Sequence, residues 1–154
     1  LLESAAIERN ATLSPDGEWL AYQSNESGRY EVYVRPFPDT GAGRWQVSRA
    51  GGIQPAWNPN GQELFYSDLT PSLIAVAVRA DGATFSLANP EALFETRGYF
   101  AVNNSAIGRA YDVSPDGERF LLIKQDPTDE NAALPRVILV QNWFEELNAR
   151  VPVP

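Results

Sequence analysis

Apolar side chains in this chain fall in short runs bounded by Pro, Gly, Asn or Asp, and one such pattern occurs three times. The stretches SPDGEWLAY at 14–22, NPNGQELFY at 58–66 and SPDGERFLL at 114–122 place Pro15, Pro59 and Pro115 at intervals of 44 and 56 residues. Each reads as a tight hairpin. Proline presets φ at the first turn position, Asp or Asn tolerates the second, and Gly takes positive φ where the chain reverses. Asp16 and Asp116 are turn residues on this reading rather than catalytic carboxylates, because Asn60 fills the same position without an ionisable group. The strands after the turns, Trp19–Tyr22, Leu64–Tyr66 and Phe120–Ile123, are apolar at consecutive positions. A sheet wet on one side alternates apolar with polar, so these strands require cover on both faces.

A third strand follows each hairpin, at Glu31–Arg35, Leu73–Val78 and Arg136–Val140, and a fourth ends the first two repeats at Trp45–Ser48 and Ala92–Glu95. Four antiparallel strands in roughly 45 residues is the size of one propeller blade, and a ring of radially packed blades sandwiches every sheet between two others. The pattern predicts an all-β fold of three four-stranded blades, half of a six-bladed β-propeller. Blade 1 covers about 5–50, blade 2 about 51–97 and blade 3 about 108–141. The one helical signal is terminal: Asn142 as cap, Trp143, Phe144 and Leu147 on one face over 143–150, and Pro152 as the stop.

Composition narrows the function. Twelve basic against twenty acidic side chains give a formal charge of −8, which repels phosphate backbones and excludes a basic nucleic-acid face. No apolar run is long enough for a membrane-spanning helix, so no membrane insertion is expected. The absence of Cys and His removes thiol and Ser-His-Asp mechanisms, disulfides and His- or Cys-based zinc sites. No Gly-x-Ser-x-Gly elbow, glycine-rich phosphate loop or His-Arg-Asp triplet occurs. No cofactor and no metal are expected. Asp126, Asp129 and Glu130 lack the order of a calcium loop and read as a solvated turn. Leu1 in a chain without Met indicates a processed product or a piece of something longer.

The phrases SPDGEWLAYQSNESGRYEVYVRPFP, WQVSRAGGIQPAWNPNGQELFY, YDVSPDGERFLL and VILVQNWFEEL resemble the TolB-like family of β-propeller repeats over roughly residues 1–151. The nearer likeness is to the propellers at the C-terminal end of bacterial eukaryotic-like serine/threonine kinases. The resemblance implies a binding, sensor or scaffold module for proteins or small ligands, derived from a larger signalling protein and held in the periplasm or outside the cytoplasm. It brings no shared catalytic residues. Two alternatives stand beside it: a hydrolase or lactonase-like enzyme with its site in the propeller channel, and the gating propeller of a peptidase.

Inner strands face the ring axis. The positions six and five before each turn proline are Arg9 and Asn10, Ile53 and Gln54, and Arg109 and Ala110. Arg9, Asn10, Gln54 and Arg109 are therefore the candidate ligand contacts, with satisfaction of backbone groups in a filled pore as the competing use. Glu8 and Asp112 are the carboxylates nearest the inner strands and the weak candidates for catalysis. Tyr30, Tyr33, Phe37, Tyr99 and Phe100 are candidate exposed aromatics. Leu1–Ser4 echoes the fourth-strand phrase Leu93–Thr96, and three blades cannot close a ring. The expectation is a two-fold homodimer in which Leu1–Ser4 of each copy completes the third blade of the other.

Overall fold

The computed structural model describes residues 5–81, 84–97, 99 and 108–124, together with the backbone of 137–140. The helix expected at 143–150 and the exchanged segment Leu1–Ser4 lie outside these residues, as does Phe100. Among the described residues the fold is all-β. The first sheet runs β1 (Glu8–Leu13), β2 (Trp19–Ser24), β3 (Glu31–Pro36) and β4 (Trp45–Gln46) in sequence order. The second contains β5 (Ile53–Trp57), β6 (Glu63–Ser67), β7 (Ser72–Asp81), β8 (Thr84–Leu87) and β9 (Glu91–Glu95), and the third β10 (Tyr111–Val113), β11 (Phe120–Ile123) and β12 (Val137–Val140). All pairings are antiparallel and join sequence neighbours, apart from β9, which pairs with β7 past β8; the meander is the order of propeller blades.

The three turns are chemically one turn. Gly17, Gly61 and Gly117 donate their N–H to the carbonyls of Ser14, Asn58 and Ser114 at 2.8–2.9 Å. The Oδ1 of Asp16, Asn60 and Asp116 accepts from the backbone N–H of Glu18, Gln62 and Glu118. An amide oxygen thus does the work of a carboxylate in the middle copy, as the structural reading of these positions required. Bonds from the Ser114 hydroxyl and the Glu118 N–H hold the Asp116 carboxyl down at about 2. Gly117 has φ +76°, and a Cβ there would collide with the Asn58 side chain of the preceding blade, so the third turn stacks directly on the second.

Blade 2 explains the two-sided apolar strands. Leu64 and Tyr66 of β6 and Ile74, Val76 and Val78 of β7 pack with Trp19, Ala21, Val32, Val34 and Val47 of blade 1. The intervening residues Phe65, Leu73 and Ala75, with Ala56 of β5, pack with Tyr111, Phe120 and Leu122 of blade 3. Period-two alternation sends successive side chains to opposite neighbours, and both neighbours are greasy.

Two features depart from the sequence expectation. The long insertion between β7 and β9 contains an additional strand, β8, so that Val78–Asp81 and Thr84–Leu87 form an arm. Phe85 of the arm lies 4.5 Å from the Trp19 ring and 5.3 Å from the Trp45 ring, fastening blade 2 to the body of blade 1. The first blade's fourth strand pairs only over Trp45–Gln46; Ser48 turns inward, where its hydroxyl accepts from Val32 N–H at 2.8 Å.

Candidate functional site

The inner strands β1 and β5 carry the same irregularity. Between Arg9 and Thr12, and again between Ile53 and Ala56, one extra residue is inserted relative to the partner strand. Asn10 and Gln54 occupy the left-handed region there, with φ of 52° and 56°. That conformation costs an L-residue about 1–2 kcal/mol, less for Asn, and must be over-determined by its surroundings.

Hydrogen bonds between blades supply that determination. Gln23 of β2 is buried, and its Oε1 accepts from Asn10 Nδ2 at 2.9 Å and from the backbone N–H of Gln54 at 2.8 Å. Gln54 is buried in turn, and its Oε1 accepts from Ala110 N–H at 3.1 Å while its carbonyl accepts from the Tyr111 hydroxyl at 2.8 Å. Asn10 Oδ1 accepts from Gly108 N–H at 2.8 Å, so the entry to blade 3 is tied back to blade 1. The Gln54 bulge aims its amide at the next blade, while the Asn10 amide turns to Gln23 of its own blade and to Gly108, and the result is a relay Asn10–Gln23–Gln54–Ala110 that runs from blade 1 to blade 3. Burial pushes the Tyr111 phenol above its usual range, with the Arg109 charge opposing in part. A cavity of about 10 Å³ beside Gln54, Ser67, Thr96 and Tyr111 has room for one water.

Arg109 is placed differently. Its Nε donates to the Tyr111 carbonyl at 3.0 Å, and its terminal nitrogen pairs with Asp112 Oδ1 at 2.8 Å. The guanidinium lies 5.9 Å from the centre of the Tyr111 ring. The pair is open to solvent, with about a third of the Arg109 side chain and about two thirds of that of Asp112 exposed. Arg9 and Glu8 sit half-buried on β1. The two carboxylates singled out from sequence therefore belong to inner strands of different blades, Glu8 to β1 and Asp112 to β10. Among the described residues no group of three or more acidic, His or Cys side chains converges as a metal site would require.

Sequence reasoning overlooked Gln23 and Glu31. Glu31 is buried at the start of β3, where Arg29 Nε donates to it at 2.6 Å, Gly51 N–H at 3.1 Å and the Ser48 hydroxyl also donates. It pins the segment that leads from blade 1 into blade 2. A polar residue directly flanking a run that is apolar on both faces, Gln23 after Trp19–Tyr22 and Glu31 before Val32–Val34, is the signal that marks each of them. Tyr33, expected among the exposed aromatics, is buried: it pairs with Tyr22 at 5.9 Å, and Arg44 lies 5.2 Å over its ring. Tyr30, Phe37 and Tyr99 are half-buried.

No family model and no curated protein matches the chain. Solved structures do. Oligogalacturonate lyase from Vibrio parahaemolyticus superposes with a TM-score of 0.58 at 12% identity, over 80% of this chain and 31% of that one. A TolB candidate from Agrobacterium tumefaciens gives a TM-score of 0.58 at 17% identity, over 93% of this chain and 48% of that one. A candidate 6-phosphogluconolactonase from Bacteroides uniformis gives 0.50 at 18% identity, over 90% and 42%. The chain thus spans between about a third and a half of the length of these proteins. None of these matches singles out the propellers of kinases. The TolB and lyase folds are β-propellers, and the three sheets described above are an all-β, propeller-type array of the same kind.

Proposed function

We propose that this chain is a propeller recognition module, a scaffold or sensor element that presents the Arg109–Asp112 pair to a protein or small ligand and works within a larger signalling protein. One observation carries the reading. The amide side chains and backbone groups of the inner strands bond to one another across blades, whereas the Arg109–Asp112 pair stands open to water. A frame stiffened in this way holds a displayed charge pair in one place, and positioning by a rigid scaffold is what recognition on loops requires.

An anionic ligand would exchange its carboxylate for that of Asp112 on the Arg109 guanidinium, whose planar fork matches carboxylate geometry. The test is titration calorimetry with citrate and with galacturonate. Binding to wild type that is lost in Arg109→Ala and strengthened in Asp112→Asn supports the reading. Equal response of all three proteins overturns it. A channel enzyme, by contrast, would show turnover in an ester and lactone screen that is lost in Glu8→Gln or Asp112→Asn.

A further inference from the structure

Counting from the turn proline brings two positions of every blade into register across the repeat. Five residues before it stand Asn10, Gln54 and Ala110, and eight residues after it stand Gln23, Ser67 and Ile123. The two positions are neighbours on adjacent strands, since Gln23 pairs with Arg9, beside Asn10, and Ser67 pairs with Ile53, beside Gln54. In blade 1 a short amide meets a long one. Asn10 Nδ2 donates to Gln23 Oε1 at 2.9 Å, and the same oxygen accepts from the Gln54 N–H of the next blade at 2.8 Å. Blade 2 reverses the lengths. Gln54, one methylene longer than Asn10, reaches the Ala110 N–H of the next blade itself at 3.1 Å. Ser67 carries only a hydroxyl where Gln23 carries an amide.

The space left by that shortening is on the page. The cavity of about 10 Å³ is walled by Ser67, Gln54 and Ala110, which are the counterparts of the three residues, Gln23, Asn10 and Gln54, that the Gln23 amide joins one blade earlier. Its volume admits one water and nothing larger. The rest of the wall, including Thr96 of blade 2 and Tyr111 and Leu122 of blade 3, carries no charge, so the site suits a neutral occupant rather than an ion. Polar groups are waiting there. Gln54 Oε1 is taken by Ala110, which leaves the two hydrogens of Nε2 to be placed, and among the described residues neither that nitrogen nor the hydroxyls of buried Ser67 and Thr96 have a partner. A buried donor left unmatched costs its desolvation, and a water bonded to three such groups removes that cost.

We infer that a single water occupies this site, accepting from Gln54 Nε2 and bonding to the hydroxyls of Ser67 and Thr96, and that it does between blades 2 and 3 what the Gln23 amide does between blades 1 and 2. The buried water is then part of the fastening between blades.

A crystal structure of the full chain that resolves ordered solvent should place one oxygen within hydrogen-bond distance of both Gln54 Nε2 and Ser67 Oγ. Interior solvent resolved elsewhere but not at this place overturns the inference, as does a direct bond between Ser67 and Gln54. The double variant Gln54→Asn/Ser67→Gln copies the blade 1 pair and adds about the volume of one water. Each single substitution should lower the melting temperature by about 2–4 °C, Gln54→Asn because it falls short of Ala110 and Ser67→Gln because it overfills the cavity. The double variant should displace the water and melt within about 1 °C of wild type, because the two changes compensate. Losses that simply add, or a double variant that keeps the water, overturn the equivalence.

Discussion

The seam between blades 1 and 2 and the seam between blades 2 and 3 are built from the same repeated phrase, yet they are fastened by different side chains. The first joins an aromatic knot of Trp19, Trp45 and Phe85, with Trp19 and Trp45 edge-on at 5.5 Å and the β7–β8 arm bringing one of the three rings across, to inner-strand bonds from Gln54 N–H to Gln23 and from the Trp57 indole to the Thr12 carbonyl. The second uses phenylalanines, Phe120 meeting Phe65 at 4.9 Å and Phe94 at 5.7 Å, together with the bonds of Tyr111 and Ala110 to Gln54. A repeat therefore fixes the strand pattern while leaving the fastening free to vary.

The largest test of that contrast is Phe120→Ala. Removing a fully buried ring that touches two others should cost about 3–5 kcal/mol, and hydrogen exchange should show amides of β10 and β11 losing protection before those of β2 and β3. Uniform loss across all three sheets would mean that the seams do not act separately. Phe85→Ala should cost nearly as much, about 3 kcal/mol, but the early loss should fall on the arm and on blade 1 around Trp45. Urea unfolding followed by tryptophan fluorescence reports it directly, since Trp19 and Trp45 lie in the knot.

Gln54→Ala is expected to cost about 1–2 kcal/mol, because the Ala110 N–H loses its partner while the Gln54 backbone bonds persist. Gln54→Gly should recover about 1 kcal/mol of that, since the residue sits at φ 56° where an L side chain is strained. If the two variants were equally stable, the strain at this position would be negligible.

The smallest effects concern pH. Burial pushes the Tyr66 phenol up to about 12, so the folded state favours its neutral form; that contribution is complete below pH 10 and is lost as pH rises through 12. Tyr66→Phe should flatten the alkaline limb of a urea-midpoint profile. At Asp116 the folded value is lowered to about 2, so its contribution is present above about pH 4 and disappears as pH falls toward 2. Asp116→Asn should keep the turn bond, as Asn60 does, but lower the midpoint at pH 7 slightly, because the charge favoured by Ser114, Glu118 and Arg119 is gone, and should flatten the acid limb.

How far this architecture could be read from sequence follows from range. The turn phrases, the two-sided strands and the blade count come from local chemistry repeated in register. The arm was missed although Asp81-Gly82 is a hairpin dipeptide with Phe85 and Leu87 alternating after it, because the polar, small residues around it read as loop. Arg9, Asn10, Gln54 and Arg109 were found together by counting back from the proline. Counting could not separate the buried amides that join blades from the exposed Arg109–Asp112 pair, because that division depends on partners up to 98 residues away.

The relay has an implication for how such chains drift. At Gln54 and at Ala110 the group received by the preceding amide is a main-chain N–H, which every amino acid except proline carries. The acceptor residue must be kept, whereas a recipient that passes no amide onward, such as Ala110, can change its side chain without losing the bond. Fasteners of that kind let successive modules diverge in composition without loosening the assembly, and proline at either recipient is the one replacement they forbid outright.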